Sequence, residues 1–203
     1  MERNELMRYL DDLLETARFK DYCPNGLQVE GRAEVKKIVA GVTASQALVD
    51  AAVERGADAL LVHHGWFWRG EDAHVTGLRK KRLQALLRHD INLIGYHLPL
   101  DSHPDLGNNA RLAQMFGWRA EGRYGEDDVG WFGSLESPST LGEVVNRVAV
   151  ALRRLPLVIG DEMRPLRRIA WCSGGGQSYF EGALSLGVDA FLSGEISEPQ
   201  THM

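Results

Sequence analysis

Three observations predict an α/β fold made of two related lobes. Between residues 36 and 96, short apolar runs that end in polar residues alternate with segments of helical periodicity, the pattern of parallel strand–helix–strand units. Residues 38–64 can be laid over 169–195 without a gap at an offset of 131. Identities fall at Ile38/Ile169, Gln46/Gln177, Ala52/Ala183, Gly56/Gly187, Asp58/Asp189, Ala59/Ala190 and Leu61/Leu192, which points to a duplicated unit. Between the copies, residues 117–165 change texture and read as a smaller α+β insert. The expected division is therefore 1–116 for the first lobe, 117–165 for the insert and 166–203 for the second lobe.

Residues 3–18 place Leu6, Leu10, Leu13, Leu14 and Ala17 at helical spacing with Asp11, Asp12 and Glu15 outward, an amphipathic helix. Residues 21–31 read as a loop punctuated by Pro24-Asn25-Gly26. A strand follows over 36–41, then an N-capping hydroxyl within residues 43–46 and a helix over 47–55, closed by Gly56. Ala59 to Val62 form a buried strand that stops at His63 and His64, with Gly65 turning the chain. A basic amphipathic helix spans 78–89 and a strand 91–96. The polar stretch after it holds His97, Asp101, His103 and Asp105 in one loop, and a helix spans 110–116. In the insert, strands are expected over 129–135 and 156–159, flanking a helix over 141–153 that opens on the capping-box pattern Thr140 to Glu143. The second lobe reads as a strand over 168–172, the glycine-rich turn 173–178, a helix over 179–186 and a strand over 189–193.

Composition narrows the function. With 203 residues, 44% hydrophobic and 25% charged, the chain has the make-up of an ordinary soluble globular protein. A net charge of -5 leaves no electrostatic footprint for nucleic acid or an anionic membrane, and the basic clusters at 79–82 and 164–168 are too short to change that. No apolar run approaches the ~20 residues of a membrane span. Cys23 and Cys172 are too few for a disulfide framework and suit a reducing cytoplasm.

The chemistry-bearing constellation is His63, His64, His97 and Asp101, at the ends of two strands expected to be near neighbours. Side chains alternate along a strand, so adjacent histidines can serve one site only at a strand end. There, outside the carboxyl ends of parallel strands, ligand sites collect. Imidazole with carboxylate suits zinc, manganese or iron, and a two-metal site of this kind activates water and clamps oxygen-rich substrates. His103 and Asp105 flank Pro104 and read as turn residues; His74 and His89 read as surface residues. The repeat sets Glu195 at the position of His64. Gly174, Gly175, Gly176 and Gln177, after a strand and before a helix, form either an anion or substrate loop or a plain tight turn. The loop meets neither the G-x-G-x-x-G nor the Lys-Ser/Thr nucleotide fingerprint. Trp66, Phe67 and Trp68 just past the histidines wall a pocket, bury in a subunit interface or pack in a core.

The stretches Y-C-P-N-G-L-Q-V-E-G, G-V-T-A-S, V-H-H-G, H-L-P-L-D-S-H-P-D-L-G-N-N, G-G-G-Q-S and S-G-E-I-S-E, in this order across the whole chain, resemble the YbgI-type, NIF-three-like dinuclear metal proteins. Members of that family carry the name GTP cyclohydrolase I type 2 homologue. The resemblance implies two α/β lobes with two divalent metal ions per chain (zinc, manganese or iron) and a homohexameric ring whose sites face an inner cavity. It matches His63, His64 and Asp101 to metal ligands and His97 to a position close to the site. The family's remaining ligands, a histidine and a glutamate four residues apart, lie beyond S-G-E-I-S-E and have no counterpart before Met203, and His202 does not match. The corresponding expectation is one weakly bound metal ion or none, with activity dependent on those further ligands.

Two classes of function follow from the resemblance. One is a metal-dependent hydrolase of a small nucleotide-like substrate; the other is a metal-binding ring that scaffolds partners without turnover. A third expectation is a shortened chain that keeps only the fold, with an exposed sheet edge and apolar surface.

Overall fold

A computed structural model describes residues 1–203. The chain separates into two compact units, Met1–Leu100 and Asp101–Met203, each with its own four-stranded sheet. No helix is long and apolar enough to cross a membrane.

In the first unit, α1 (Arg3–Leu14) is followed by β1 (Gly26–Val29), β2 (Ile38–Thr43), α2 (Gln46–Glu54), β3 (Ala59–His64), α3 (Gly77–His89), β4 (Asn92–Gly95) and the short α4 (Leu98–Ser102), which carries the chain across the division. The sheet order is β1–β4–β3–β2, with β4, β3 and β2 parallel and β1 antiparallel. Alternation along β3 supplies two cores. Leu60 and Val62 pack with Val49, Ala52 and Leu86 from α2 and α3, while Ala59 packs with Leu6, Leu14 and Ile94 on the face covered by α1. The Ser45 hydroxyl caps α2 by accepting from Leu48 N at 3.3 Å.

In the second unit, α5 (Asn108–Phe116), β5 (Trp118–Tyr124), β6 (Gly130–Thr140), α6 (Leu141–Leu152), β7 (Pro165–Cys172), α7 (Phe180–Leu184), β8 (Ala190–Ser193) and α8 (Glu198–Thr201) follow in order. The sheet order is β5–β6–β7–β8; β5, β6 and β7 are antiparallel neighbours, and β7 and β8 are parallel. Strands from 117–165 and from 166–203 thus share one sheet. Its core centres on Trp118, Trp131 and Trp171, with ring centroids 5.2 Å and 6.1 Å from Trp171. The capping box at Thr140 and Glu143 opens α6, as its pattern predicts.

The internal repeat is reproduced in strand register and in several side-chain bonds. Ile38 pairs with Ala59 and Ile169 with Ala190, and the register runs on in step. Asp58 Oδ2 accepts from the backbone N–H groups of Lys36 and Lys37; Asp189 Oδ2 accepts from those of Arg167 and Arg168. Lys37 Nζ donates to Arg55 O at 2.6 Å, and Arg168 Nη1 to Leu186 O at 2.7 Å. Gly56 and Gly187 close the helical segments at φ +58° and +64°, where a side chain would be strained.

Several local expectations are corrected. The strand carrying the histidines runs through them, since Thr43 still pairs with His64. Residues 26–29, expected within a loop, form β1 because β4 offers a free edge to pair with. Residues 98–102 form α4 rather than loop, with Pro99 in a first turn where its missing N–H costs nothing. Residues 156–159 form no strand: no neighbour pairs with them, and Leu155 and Leu157 lie exposed. Strand β5 has no counterpart among the expected elements; only Trp118 of its residues is buried, so its sequence lacks an apolar run.

Candidate metal centre

His63 and His64 are the last two residues of β3, and His97 stands between β4 and α4. Their rings cluster, with centroids 4.5 Å apart for His63 and His64, 5.2 Å for His63 and His97, and 5.7 Å for His64 and His97. One ring nitrogen from each of the three lies within 4.8 Å of the other two, close enough for all three to hold a metal ion. Strict alternation would send His63 and His64 to opposite faces. They are nevertheless neighbours, with ring centroids 4.5 Å apart at the last two positions of the strand, where the alternation need not continue.

Each ring is held through Nδ1. His63 Nδ1 lies 3.0 Å from Tyr96 O, His64 Nδ1 lies 3.3 Å from Thr43 Oγ1, and His97 Nδ1 lies 2.8 Å from Asp21 Oδ1. A histidine whose Nδ1 is anchored this way presents Nε2 to a metal, the usual arrangement around protein metal sites. Trp68 closes one side, 4.9 Å from His97 and 5.9 Å from His64, with its Nε1 donating to Gly65 O at 3.2 Å. Trp66 is instead core, its Nε1 donating to Ala44 O at 2.9 Å.

The segment 21–28 braces both strand ends, a role for which the sequence carries no signal. Asp21 Oδ2 accepts from Leu98 N at 2.9 Å and Asn25 Nδ2 at 3.0 Å, while Asn25 Oδ1 accepts from His97 N at 2.8 Å. Gln28 Oε1 accepts from Trp66 N at 2.7 Å, and Gln28 Nε2 donates to Pro24 O at 2.8 Å. Gly65 is required for that brace: a Cβ there would come 2.1 Å from Gln28 Oε1. The Pro-Asn-Gly punctuation marks a turn but gives no sign that the polar side chains around it reach residues 38 to 77 positions away.

Burial alone would raise the Asp21 carboxyl, but hydrogen bonds from His97, Asn25 and Leu98 outweigh it and hold the pKa at about 2. Burial, helped by the Asp21 charge, pushes the Cys23 thiol up to about 12. Burial, helped by Asp101, does the same to Cys172. Neither thiol is poised as a nucleophile.

The other predicted residues belong to the second unit. Asp101 is buried and its Oδ1 accepts from Asn108 Nδ2 at 2.8 Å and from Ser173 Oγ at 3.0 Å. Ser173 opens the glycine-rich turn, and its N–H donates to Asn109 Oδ1 at 2.8 Å. In that turn Gly176 begins a 3-10 segment, Gly176–Tyr179, and Gln177 Oε1 is buried without a hydrogen-bond partner. Ser193 Oγ donates to Gly174 O at 3.3 Å, and the carboxylate of the exposed Glu195 lies beside Gly175. His103 Nδ1 accepts from the backbone N–H groups of Asp105 and Leu106, a local turn.

The model of the Duf34/NIF3 family (NGG1p interacting factor 3) matches residues 1–203. The chain belongs to this family. It is 54% identical over 201 residues to a Neisseria meningitidis serogroup A protein named GTP cyclohydrolase 1 type 2 homolog, covering 99% of this chain and 81% of that one. A Pseudomonas aeruginosa protein of the same name is 51% identical over 200 residues, covering 97% and 79%. Among solved structures, protein ybgI, described as of unknown function, superposes with a TM-score of 0.94 at 48% identity, covering 100% of this chain and 81% of that one. A Thermus thermophilus protein gives 0.85 at 34% identity, covering 100% and 81%.

Proposed function

We propose that this NIF3-family chain is a metal-dependent hydrolase of a small nucleotide-like substrate, with His63, His64 and His97 as metal-holding side chains. The observation that carries the reading is the common anchoring of all three rings through Nδ1. Three imidazoles with fixed Nε2 atoms are a donor set that suits zinc or iron, and manganese more weakly. The family resemblance adds Asp101 as a ligand. It also suggests a homohexameric ring, with two ions per chain where the family's full ligand set is present and fewer with the ligands of this chain.

A bound divalent ion would supply Lewis-acid activation of water and charge neutralisation for an oxygen-rich substrate. The chain's own groups do the rest. Tyr96, Thr43 and Asp21 fix the imidazoles so that no reorganisation is needed when the site is filled. Trp68 offers an aromatic wall beside His97 and His64, a surface on which a planar ring can rest. The names of the Neisseria and Pseudomonas relatives support a purine nucleotide as the first substrate to try.

Metal content per chain, measured by plasma mass spectrometry on wild type and His63→Ala, tests the first half of the reading. Metal in the wild type and its loss in the variant are expected. A panel of nucleoside triphosphates and phosphoesters then tests turnover. Metal retained without turnover of any of them would overturn the hydrolase and leave a metal-binding scaffold; a metal-free wild type would overturn both.

A further inference from the structure

Asp21, Cys23 and His97 form a second cluster in which a ligand atom from each lies within 4.8 Å of the others. Its simplest reading is another metal site sharing His97. The hydrogen bonds argue against it. The side chain of Asp21 is 2% exposed, and both of its oxygens are occupied. Oδ1 accepts from Tyr22 N at 2.6 Å and faces His97 Nδ1 at 2.8 Å; Oδ2 accepts from Leu98 N at 2.9 Å and Asn25 Nδ2 at 3.0 Å. A carboxylate has about four acceptor sites, and all are engaged here. A metal would have to displace a buried hydrogen bond that nothing else replaces.

The same geometry determines where the His97 proton lies. Two backbone N–H groups and an amide N–H can only donate, so Asp21 meets them as an ionised acceptor with no proton of its own to give. The hydrogen on the Asp21–His97 contact therefore belongs to the imidazole, on Nδ1. We propose that Asp21 is a positioning residue: it holds His97 as the Nδ1–H tautomer, with Nε2 turned to the side shared with His63 and His64. Asn25 serves the same end from the main chain, since its Oδ1 holds His97 N while its Nδ2 holds Asp21. This inference rests on the metal reading for its purpose, although the tautomer itself does not depend on any metal.

The decisive measurement is the tautomer of His97 in the metal-free 203-residue chain, read from long-range proton–nitrogen correlation spectra of the imidazoles and assigned by comparison with His97→Gln. A protonated Nδ1 and a lone-pair Nε2 are expected, and the reverse pattern would overturn the proposal whatever the metal content. Zinc affinity by chelator competition supplies the functional arm. Asp21→Asn should weaken zinc binding about tenfold to hundredfold, the range for losing such a supporting hydrogen bond, and shift His97 toward the other tautomer. Cys23→Ser should leave zinc affinity unchanged. A comparable loss in both variants would instead make the Asp21–Cys23–His97 cluster the metal site. Should Asp21→Asn fail to fold, the wild-type spectrum and Cys23→Ser still decide. Should the wild-type chain bind no zinc while His97 carries its proton on Nδ1, the metal reading falls and the tautomer assignment stands.

Discussion

The two copies of the repeat share a skeleton and differ in what their second strands end in. In both, the strands pair in the same parallel register, an aspartate caps the first strand, and a glycine in the left-handed region ends the helical segment. The first copy ends in His63 and His64, the second in Gly194 and Glu195. The cause of the different use lies in the neighbours. In the first sheet β3 lies between β2 and β4, and each flank supplies an anchor: Tyr96 O, just past β4, for His63, and Thr43 of β2 for His64. In the second sheet the equivalent strand, β8, is at the edge, its residues are half-buried, and Glu195 is exposed. The end of β3 has an anchor on each flank for its two imidazoles, whereas β8 has a neighbour strand on one side. The repeat thus shares a frame, and what differs between its copies is the set of neighbours around the second strand.

The largest expected effect bears on the shared skeleton. Asp58 is buried and receives Arg32 Nη1 at 2.8 Å in addition to its two backbone donors, whereas Asp189 has the backbone donors and only the nearby charges of Arg164 and Arg167. Asp58→Ala should cost about 3 kcal/mol and Asp189→Ala about 1–2 kcal/mol in denaturant unfolding. Equal costs would mean that the guanidinium adds nothing. Both carboxyls are held below the ordinary value of 3.8: burial opposes this, and the backbone hydrogen bonds outweigh it, helped by the arginines. A lowered native pKa gives stability that is fully present above 3.8 and lost as pH falls through the native value. The acid limb of the stability curve should therefore flatten in Asp58→Asn, measured below pH 4 by circular dichroism (about the carboxylate range).

Next in size is the divergence at the strand ends. His64→Ala should weaken zinc binding about hundredfold, while Glu195→Ala should change it by less than about threefold in the same chelator competition. A comparable loss from Glu195→Ala would show that the second copy shares in metal binding and would remove the contrast between flanked and edge strands.

Much of this is legible in the sequence, and what is not has a physical cause. The adjacent histidines declare themselves because an apolar run that ends in two polar residues is a strand end wherever the fold places it. The offset of 131 is visible because register and glycine closure demand particular residues at fixed spacing. The bracing role of Asp21, Asn25 and Gln28 is hidden, because a short polar loop carries no periodicity and its partners, His97, Leu98 and Trp66, are remote in the chain. β5 is hidden for a related reason: with one face in water and Gly122 in its middle, it shows no apolar pattern.

The smallest expected effect asks whether the two copies are equivalent where they look alike. Gly56 has nothing within 4 Å of where a Cβ would project, and Gly187 has only Arg168 Nη1 at 3.8 Å, an ordinary contact. Neither site punishes the added methyl by collision, so the cost of alanine is that of the left-handed backbone alone. Gly56→Ala and Gly187→Ala should each lose about 1 kcal/mol, and asparagine, which tolerates that conformation, should lose less at both. A much larger loss at Gly187 would show that the guanidinium of Arg168, already bonded to Leu186 O, has no room to yield, whereas its counterpart Lys37, bonded to Arg55 O, leaves the space at Gly56 open.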